Sequence, residues 1–503
     1  MITNPIIRGF NPDPSVIRIG EDYYIATSTF EWWPGINIYH SKDLVNWSLH
    51  SRPLNKKSLL DLKGVPDGGG IWAPCLSYDG KTVYLVFTVV KERGPMMHTD
   101  NYLIKTEDIN LGWSERVYLN SVGFDPSLFH DDDGRKYLIS LENHYEKGKR
   151  FNGLYIEEYD ADKDKLTGGR HLLYTEPSGE LVEGAHLYKK DGYYYLLKAQ
   201  GGTGVRHSAQ MARSKSLFGK WEEDESILLH ARDNEHLPLQ KAGHADLVDT
   251  PAGDLYMVHL ASRGLYSPCG RETCIQKVIW HKNWLRLAEG GCNPFVNVAA
   301  KARKKHESKV FYDFRHKDSI SDFQSLREDL SGKISFSDNG LTLKCGSGLN
   351  SRFEQSLLAR RIDEKNVEIS INVLFRPDND RQTAGLVLIY DTCHWHYLYI
   401  TKKRGKNVCK ILSCDRGELI YYDEEYPLEA PDAVLAARLE NSKLSFFAQG
   451  KCIKEGLDAS ILSDEYVHLG FTGAMAGFNC IDLEKREKSA VFKWMEYSRL
   501  KMC

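Results

Sequence analysis

Residues 125–140 read DPSLFHDDDGRKYLIS, and this stretch is one of five similar copies within the first 300 residues. Each copy has an opening polar or small residue, a short apolar run, a turn and a second apolar run rich in tyrosine. The other copies are DPSVIRIGEDYYIAT from Asp13, APCLSYDGKTVYLVFT from Ala73, EGAHLYKKDGYYYLLK from Glu183 and HADLVDTPAGDLYMVHL from His244. Two apolar runs joined by turn residues predict a β-hairpin in every copy.

The spacing of the copies predicts the fold. Successive copies begin 52 to 61 residues apart, a length that holds about four strands, or one blade of a β-propeller. We therefore predict an all-β protein with a five-bladed β-propeller over residues 1–296; the alternative is a β-sandwich with accidental internal similarity. In a propeller the innermost strands surround the axis, so the opening residues of the copies should converge at one mouth. These residues are Asp13, Ala73, Asp125, Glu183 and His244.

A second domain should follow a short polar segment. Residues 297–309, NVAAKARKKHESK, are basic and lack a strand pattern, which indicates a linker. Strand-like runs such as NVEISINVLF and TAGLVLIYD then follow at short spacing and without helical periodicity. Residues 310–503 are therefore predicted to form a β-sandwich.

Composition argues against several classes of function. The net charge of -3 at pH 7 gives no electrostatic reason to expect binding to nucleic acid or to an anionic membrane surface. No run approaches the ~20 apolar residues that a membrane span needs. The N-terminal sequence MITNPIIRGF lacks the pattern of a secretory signal, and the eleven cysteines include no CxxC pair. We therefore expect a cytoplasmic protein with reduced thiols.

Three of the five converging residues are acids. Hydrolysis of a glycosidic bond needs a carboxylic acid that protonates the leaving oxygen and a carboxylate that activates water or attacks carbon. Pro14 stiffens the backbone at Asp13, and a third carboxylate near the acid would raise its pKa by charge repulsion. The alternative for Asp-Pro-Ser is a turn at the start of a strand. Because three acids share one ring, we predict catalysis by Asp13, Asp125 and Glu183.

Other residues near the mouth could contact a sugar. His244 has no clustered ligand partners, so a hydrogen bond to substrate or a structural role is favoured over a metal site. Arg271, in CGRETCIQ, could hold a carboxylate ionised and donate to sugar hydroxyls, and the alternative is a simple pair with Glu272. Three aromatic residues follow the first hairpin and could stack on a sugar: Phe30, Trp32 and Trp33.

Taken in order, these motifs resemble those of the glycoside hydrolase family 43 β-xylosidases. The resemblance is carried by NPDPSV, GGGIWAPCLSY, GFDPSLFHDDDGRKYL, EGAHLYKKDGYYYLL and GRETCIQ, and in the second domain by SLLARR, TAGLVLIYD and FTGAMAGF. It implies a concanavalin-like sandwich and an inverting mechanism. In that mechanism Asp13 is the general base, Glu183 is the general acid, and Asp125 tunes and orients the acid.

The resemblance also implies a pocket for the non-reducing terminal sugar. Its walls would comprise Phe30, Trp72, Ala73, Thr203, His244 and Arg271, and an aromatic residue on a sandwich loop, Phe478, would complete the rim. The implied reaction is exo-release of xylose from β-1,4-xylooligosaccharides, together with α-L-arabinofuranosidase activity in many relatives. The alternatives are an α-L-arabinofuranosidase or arabinanase on the same propeller and a non-catalytic carbohydrate-binding protein, which would not need a buried acid.

No cofactor and no catalytic metal are expected, and a structural calcium ion near the propeller axis is left open. The resemblance further implies assembly into a dimer or tetramer. Two departures from the family pattern lie near the mouth. Glu142 and Asn143 stand where relatives tend to have Trp-Asp, and Ala185 stands where they often have proline. Both leave the choice between xyloside and arabinofuranoside open.

Overall fold

The computed structural model describes residues 1–146, 151–299, 307–468 and 470–501, and strands dominate it. Five antiparallel sheets follow one another along the first 290 residues, and the first strand of each contacts the first strand of the next. The first strand of the fifth sheet in turn contacts that of the first sheet, which closes the ring. The predicted five-bladed β-propeller is therefore confirmed.

The strands of the blades, from the axis outward, are Ser15–Ile19, Asp22–Thr27, Asn37–Ser41 and Ser48–Ser51 in blade 1; Gly70–Tyr78, Val83–Glu92, His98–Thr106 and Val117–Asn120 in blade 2; Gly123–His130, Lys136–Asn143, Phe151–Asp160 and Lys165–Tyr174 in blade 3; Val182–Lys190, Tyr193–Gln200, Ser208–Ser214 and Glu222–Glu223, with Leu229–His230 beside the third strand, in blade 4; and Leu239–Asp249, Leu255–Arg263, Glu272–His281 and Trp284–Leu287 in blade 5.

One backbone feature recurs at the mouth of every blade. The φ angle is positive at one residue, with values of 54° at Asp13, 38° at Ala73, 54° at Asp125, 54° at Gly184 and 48° at His244. In blades 2 to 5 the strand pairing changes register at this residue, as a β-bulge does when it redirects neighbouring side chains. In blade 4 the equivalent residue is Gly184, so the repeat begins one residue later than the sequence pattern suggested.

The two ends of the propeller meet in a short pair of strands. Ile2–Thr3 pairs with Asn297–Val298, which lies at the start of the predicted linker. At the other end of that linker, Lys309–Asp313 already belongs to the sandwich. The connection is therefore shorter than predicted at both ends, because backbone pairing recruits its terminal residues. Residues 300–306 of the predicted linker lie outside the described residues.

The C-terminal part is a sandwich of two antiparallel sheets, as predicted. The first sheet contains Lys309–Asp313, Ile334–Ser337, Gly340–Lys344, Val367–Leu374, Asp432–Glu440, Lys443–Ala448, Lys451–Asp458 and Ser489–Arg499, and the second contains Trp32–Trp33, Gln324–Leu326, Leu357–Arg361, Gln382–Asp391, His394–Lys403, Lys406–Asp415, Glu418–Pro427 and Met475–Asp482. Buried and half-buried residues alternate along Val367–Leu374, which packs one face into the core between the sheets.

Helices are few and short in the described residues. They are the 3-10 helices Lys317–Ile320, Ser331–Lys333 and Ala459–Leu462 and the α-helix Asp464–Val467. None of these helices has the length and hydropathy that a membrane crossing requires.

One strand of the second sheet comes from the propeller. Trp32–Trp33 of blade 1 pairs with Gln324–Leu326 of the sandwich. Trp32 is 0% and Trp33 5% exposed, and Trp32 packs among Phe10, Phe30 and sandwich side chains. The expectation that these two tryptophans stack on a sugar is therefore wrong, because the contact between the domains buries them.

The sandwich contains a disulfide between Cys345 and Cys480, whose Cα atoms are 4.6 Å apart. The expectation that every cysteine is a reduced thiol is therefore wrong for this pair. The two residues are 135 positions apart in sequence, and they become neighbours only when the sheets pack.

Candidate active site

A cavity of about 690 Å³ lies at the mouth of the propeller. This volume is in the range that holds small-molecule ligands. All five blades and the sandwich contribute to its wall. The sequence-predicted residues in that wall are Asp13, Phe30, Trp72, Asp125, Glu183, Thr203, His244 and Arg271.

Asp13 is buried among groups that stabilise its charge. Arg271 Nη1 donates a hydrogen bond to Asp13 Oδ1 at 2.8 Å, and the Ser28 hydroxyl donates to Oδ2 at 2.7 Å. His244 Nδ1 lies 3.8 Å from Oδ1. Burial by itself would raise the pKa of Asp13, but Arg271, His244 and the Ser28 hydrogen bond together lower this pKa below its ordinary value. Asp13 is therefore ionised and can accept a proton.

The pKa values of Glu183 and Asp125 shift in the opposite direction to that of Asp13. Burial, with the charge of Asp13 as the second cause, raises the pKa of Glu183 to about 7. Burial and the charges of Glu183 and Asp13 raise the pKa of Asp125 well above its ordinary value. The cavity thus places one ionised carboxylate beside two carboxyl groups whose pKa values are raised, that of Glu183 to about 7. Such a division between a base and an acid is what bond hydrolysis requires.

Gly184 allows three blades to approach one another beside Glu183. Its φ is positive, and a Cβ atom there would lie 2.8 Å from atoms of the His244 ring. Its N–H donates to Asp125 Oδ2 at 3.1 Å, and His244 Nδ1 lies 3.9 Å from the same oxygen. Burial lowers the pKa of His244 to about 4, so this side chain is neutral when it faces a substrate.

The sandwich contributes Asp464, Glu465, His468 and Phe471 to the cavity wall. The half-buried ring of Phe471 contacts Trp72, with ring centroids 5.8 Å apart, and the Arg93 guanidinium lies 4.6 Å from its centroid. Trp72 in turn contacts Phe30 at 5.8 Å. An aromatic wall therefore runs from the propeller to the sandwich.

Phe478, which we predicted at the rim, lies elsewhere. It is 0% exposed in the sandwich core, where its ring packs 4.2 Å from that of Phe492 and 5.1 Å from that of Phe314. The prediction is wrong because Phe478 belongs to Met475–Asp482, a strand with neighbours on both sides in the sheet. Only the segment before that strand, which carries Phe471, reaches the cavity.

Two further sequence candidates stand behind the cavity. Ala73 is absent from the cavity wall among the described residues. Its N–H donates to the Ser28 hydroxyl at 2.8 Å, and this bond positions the hydroxyl that donates to Asp13. Glu142 is likewise absent from the described wall, since it binds Arg170 at 2.8 Å and Asn152 at 2.7 Å. Glu142 therefore does not form part of the described wall.

Four residues of the site had no signal in the sequence: Ser28, His207, Lys241 and Asp464. His207 lines the cavity, and its Nδ1–H donates to the Gly202 carbonyl at 2.7 Å. Lys241 and Asp464 form an ion pair at 2.9 Å across 223 residues of sequence. No local motif marks such residues, because their roles depend on partners that are distant in sequence, as for Lys241 and Asp464, or on a loop conformation, as for Ser28 and His207.

A metal site finds limited support among the described residues. Asp67, Asp391 and Cys393 form the one cluster there with ligand-like spacing, and none of them lines the cavity. Asp67 already binds Arg327 at 2.6 Å and Thr392 at 2.5 Å. A second cavity of about 10 Å³, lined by residues such as Ser15 and His186, lies between the inner strands. Calcium near the axis stays a prediction.

An ionised carboxylate beside a carboxyl group with a raised pKa, at the mouth of a propeller, is the arrangement that hydrolysis of a glycosidic bond needs. The comparison with known proteins agrees: the chain belongs to the family described as glycosyl hydrolases family 43, which matches residues 2–285. Residues 312–498 match the β-xylosidase C-terminal concanavalin A-like domain.

Relatives match over the full length. Xylosidase/arabinosidase 43B of Humicola insolens is 41% identical over 99% of this chain and 97% of its own. The β-xylosidase of Bacillus subtilis (strain 168) is 38% identical over 99% of both chains. The crystal structure of xylan β-1,4-xylosidase from Bacillus halodurans C-125 has a TM-score of 0.94 at 40% identity, and it covers 99% of this chain and 100% of that chain.

Proposed function

We propose that the protein is an exo-acting, inverting β-xylosidase that releases xylose from the non-reducing end of β-1,4-xylooligosaccharides. The observation that carries this proposal is the opposite pKa shift of Asp13 and Glu183 within one cavity. The choice of xylose and of the 1,4 linkage is supported by what the relatives are called.

The reaction uses both carboxyl groups at once. Asp13 removes a proton from a water molecule while the water oxygen attacks the anomeric carbon. Glu183 donates its proton to the glycosidic oxygen as the bond from that oxygen to the anomeric carbon breaks. Arg271 keeps Asp13 ionised until it receives the proton, while burial and the charge of Asp13 raise the pKa of Glu183. Asp125 accepts a hydrogen bond from the Gly184 N–H and so positions the backbone next to the acid. Proton exchange with solvent restores both groups after the products leave.

Exo-action follows from the position of the sandwich. Phe471, His468 and Asp464 wall one side of the cavity, so a sugar chain cannot continue through it in that direction. The half-buried Trp72 offers an apolar face on which the terminal sugar can stack, and the Phe30 ring, which is 2% exposed, packs beside it with ring centroids 5.8 Å apart. A pocket closed in this way admits a chain end, whereas an endo-acting arabinanase requires an open groove.

The anomeric configuration of the first product tests the mechanism. Nitrophenyl β-D-xyloside, whose only sugar product comes from the cleaved glycoside, is hydrolysed while proton NMR follows the anomeric signals of xylose. Xylobiose is incubated in parallel to test for its cleavage. We expect α-xylose to appear before β-xylose, because water attacks the face opposite the leaving group. Initial formation of β-xylose would contradict inversion. If xylobiose were not cleaved, the proposed substrate would be wrong.

An α-L-arabinofuranosidase activity at the same site is a second candidate, supported by the relative called xylosidase/arabinosidase. Nitrophenyl β-D-xyloside and α-L-arabinofuranoside, tested side by side, give the ratio of the two activities. Both should be lost together in Asp13→Asn, because both would use one base.

The pH dependence of kcat/KM should be bell-shaped. Asp13 must be ionised, so activity falls as the pH drops through its lowered pKa, below its ordinary value. Glu183 must be protonated, so activity falls as the pH rises through a pKa of about 7. Initial rates between pH 3 and 9 would measure both limbs. An alkaline limb near the ordinary pKa of a glutamate would contradict the assignment.

Phe471→Ala should weaken substrate binding while the pH profile keeps its shape. The variant removes a ring that contacts Trp72 and Arg93 but leaves the three carboxyl groups intact. We expect KM for xylobiose to rise about 5- to 20-fold, equivalent to the ~1–2 kcal/mol of a lost aromatic contact. Phe478→Ala is the matched control, since it should cost ~3–5 kcal/mol of stability with KM unchanged. If Phe478→Ala raised KM and Phe471→Ala did not, Phe478 would be the residue at the rim.

We also propose that the protein is cytoplasmic and assembles into a dimer or tetramer. The location is proposed from the sequence and the assembly from the family resemblance. The net charge of -3 gives no electrostatic reason to expect nucleic acid or an anionic membrane surface as a partner. Light scattering behind size exclusion would give the oligomeric state, and cell fractionation would give the location.

A further inference from the structure

The carboxylate of Asp464 lies at the centre of a hydrogen-bond network that links the sandwich to the propeller. The side chain is 4% exposed and lies in the wall of the cavity. Lys241 Nζ from blade 5 donates to Oδ2 at 2.9 Å, and the Tyr390 hydroxyl donates to Oδ1 at 2.9 Å. The Phe471 N–H donates to the same Oδ1 at 2.8 Å. One carboxylate thus holds both domains and the backbone at Phe471.

Close packing confines the backbone around Phe471. A Cβ atom on Gly473 would lie 2.8 Å from Phe10 Cβ, and one on Gly270 would lie 2.7 Å from the Thr472 carbonyl oxygen. Phe471 itself has a φ of 72°, in the left-handed region that non-glycine residues rarely adopt. Contacts on both sides therefore hold this segment in an uncommon conformation.

The confined backbone contacts the residue that holds the base. The Phe471 carbonyl accepts a hydrogen bond from Arg271 Nη2 at 2.9 Å, while Arg271 Nη1 donates to Asp13 Oδ1 at 2.8 Å. Within the described residues, Arg271 Nε has no hydrogen-bond partner. The orientation of the guanidinium therefore depends on these two bonds and on the Phe30 ring, whose centroid is 5.7 Å away.

We propose that Asp464 of the sandwich is a positioning residue for catalysis, because it fixes the Phe471 carbonyl that orients Arg271 toward Asp13. The inference rests on the proposed function, in which Asp13 is the general base. It adds that the sandwich completes the active site through a backbone oxygen as well as walling it. A chain of three contacts connects Asp464 to the base.

The charged groups around these three contacts determine which substitution is informative. Asp13 faces Arg271, His244 and His207, together with the carboxyl groups of Glu183 and Asp125. Asp464 faces Lys241, Arg271 and Tyr390. Glu465 also binds Lys241, at 2.6 Å. Because Glu465 keeps Lys241 paired, neutralising Asp464 does not leave an unpaired buried cation.

The test is Asp464→Asn, which keeps the shape of the side chain and removes its charge. The amide oxygen can still accept from Phe471 and Tyr390, but the amide nitrogen cannot accept from Lys241, so the side chain that holds Phe471 is released from blade 5. We expect kcat/KM for nitrophenyl β-D-xyloside to fall about 10- to 100-fold, the scale of loss for a misplaced catalytic group. We also expect the acid limb of the pH profile to move to higher pH, because a less constrained Arg271 stabilises the Asp13 carboxylate less. Asp363→Asn is the control, since Asp363 is a buried sandwich carboxylate outside the described cavity wall that binds Arg360 and Arg499. It should lower Tm and leave the acid limb in place.

An acid limb that stays in place in Asp464→Asn would overturn the proposal, whatever happens to Tm, since a purely structural role predicts that result. If Asp464→Asn does not fold, Lys241→Gln takes its place, because it removes one bond to Asp464 and should shift the limb in the same direction by a smaller amount. Lys241→Gln with an unshifted limb would then overturn the proposal. Full activity of Asp13→Asn would instead contradict the proposed function itself, and so the two failures are distinguishable.

Discussion

Asp13→Asn should reduce kcat roughly 10²- to 10⁴-fold on every substrate, the usual contribution of a positioned base. The amide cannot take the proton from water, and Glu183, whose pKa burial still raises, remains the proton donor and cannot act as the base at the same time. The measurement is kcat on xylobiose and on an activated aryl xyloside, with Tm as a check of folding. A normal rate on the aryl xyloside would remove Asp13 from the base role.

Azide provides the control for this first prediction. In Asp13→Ala, azide has room to attack the anomeric carbon and needs no base, while Glu183 still donates its proton to the leaving oxygen. The expected product from a β-xyloside is α-xylosyl azide, with partial recovery of turnover. Formation of the β-azide would indicate attack from the opposite face and contradict inversion.

Glu183→Gln should have an effect that depends on the leaving group. Xylobiose has a poor leaving group that needs a proton, so kcat should fall roughly 10²- to 10⁴-fold. A dinitrophenyl xyloside releases a stable phenolate that needs no proton. The kcat of the variant on this substrate should therefore stay within about tenfold of the original. The alkaline limb that the Glu183 pKa of about 7 produces should also disappear.

The matched control for the second prediction is Asp125→Asn, which leaves the acid in place and removes a neighbouring carboxyl group. Its alkaline limb should stay near the Glu183 pKa of about 7, because burial and the charge of Asp13, which raise this pKa, are both retained. If Glu183→Gln lowered kcat equally on xylobiose and on the dinitrophenyl xyloside, Glu183 would not be the group that protonates the leaving oxygen.

The sequence predicts the architecture well because the repeats carry it. Asp13, Asp125 and His244 each begin a hairpin whose turn and apolar runs are local signals, and these signals fix the number of blades. The register of blade 4 was harder to predict from the sequence. Glu183 opens the pattern in the sequence, but the bulge at Gly184 sets the backbone, and this depends on the fit against His244.

Contacts across long stretches of sequence account for the other differences. Phe471 and Phe478 belong to the same motif, and only the packing of the sandwich against the propeller decides which of them reaches the cavity. The same holds for Lys241 and Asp464, which are 223 residues apart. Trp33 looked like an exposed aromatic because its partner strand, Gln324–Leu326, begins about 290 residues later.

The strand that blade 1 lends to the sandwich has a consequence for biosynthesis. The ribosome completes Trp32–Trp33 early and its partner Gln324–Leu326 only after the whole propeller has been translated. During that interval the growing chain presents two tryptophans and an unpaired strand edge, the kind of surface that holdase chaperones recognise and that promotes aggregation. A chain stalled before residue 324 would keep this surface, whereas the finished chain covers it with its own second half.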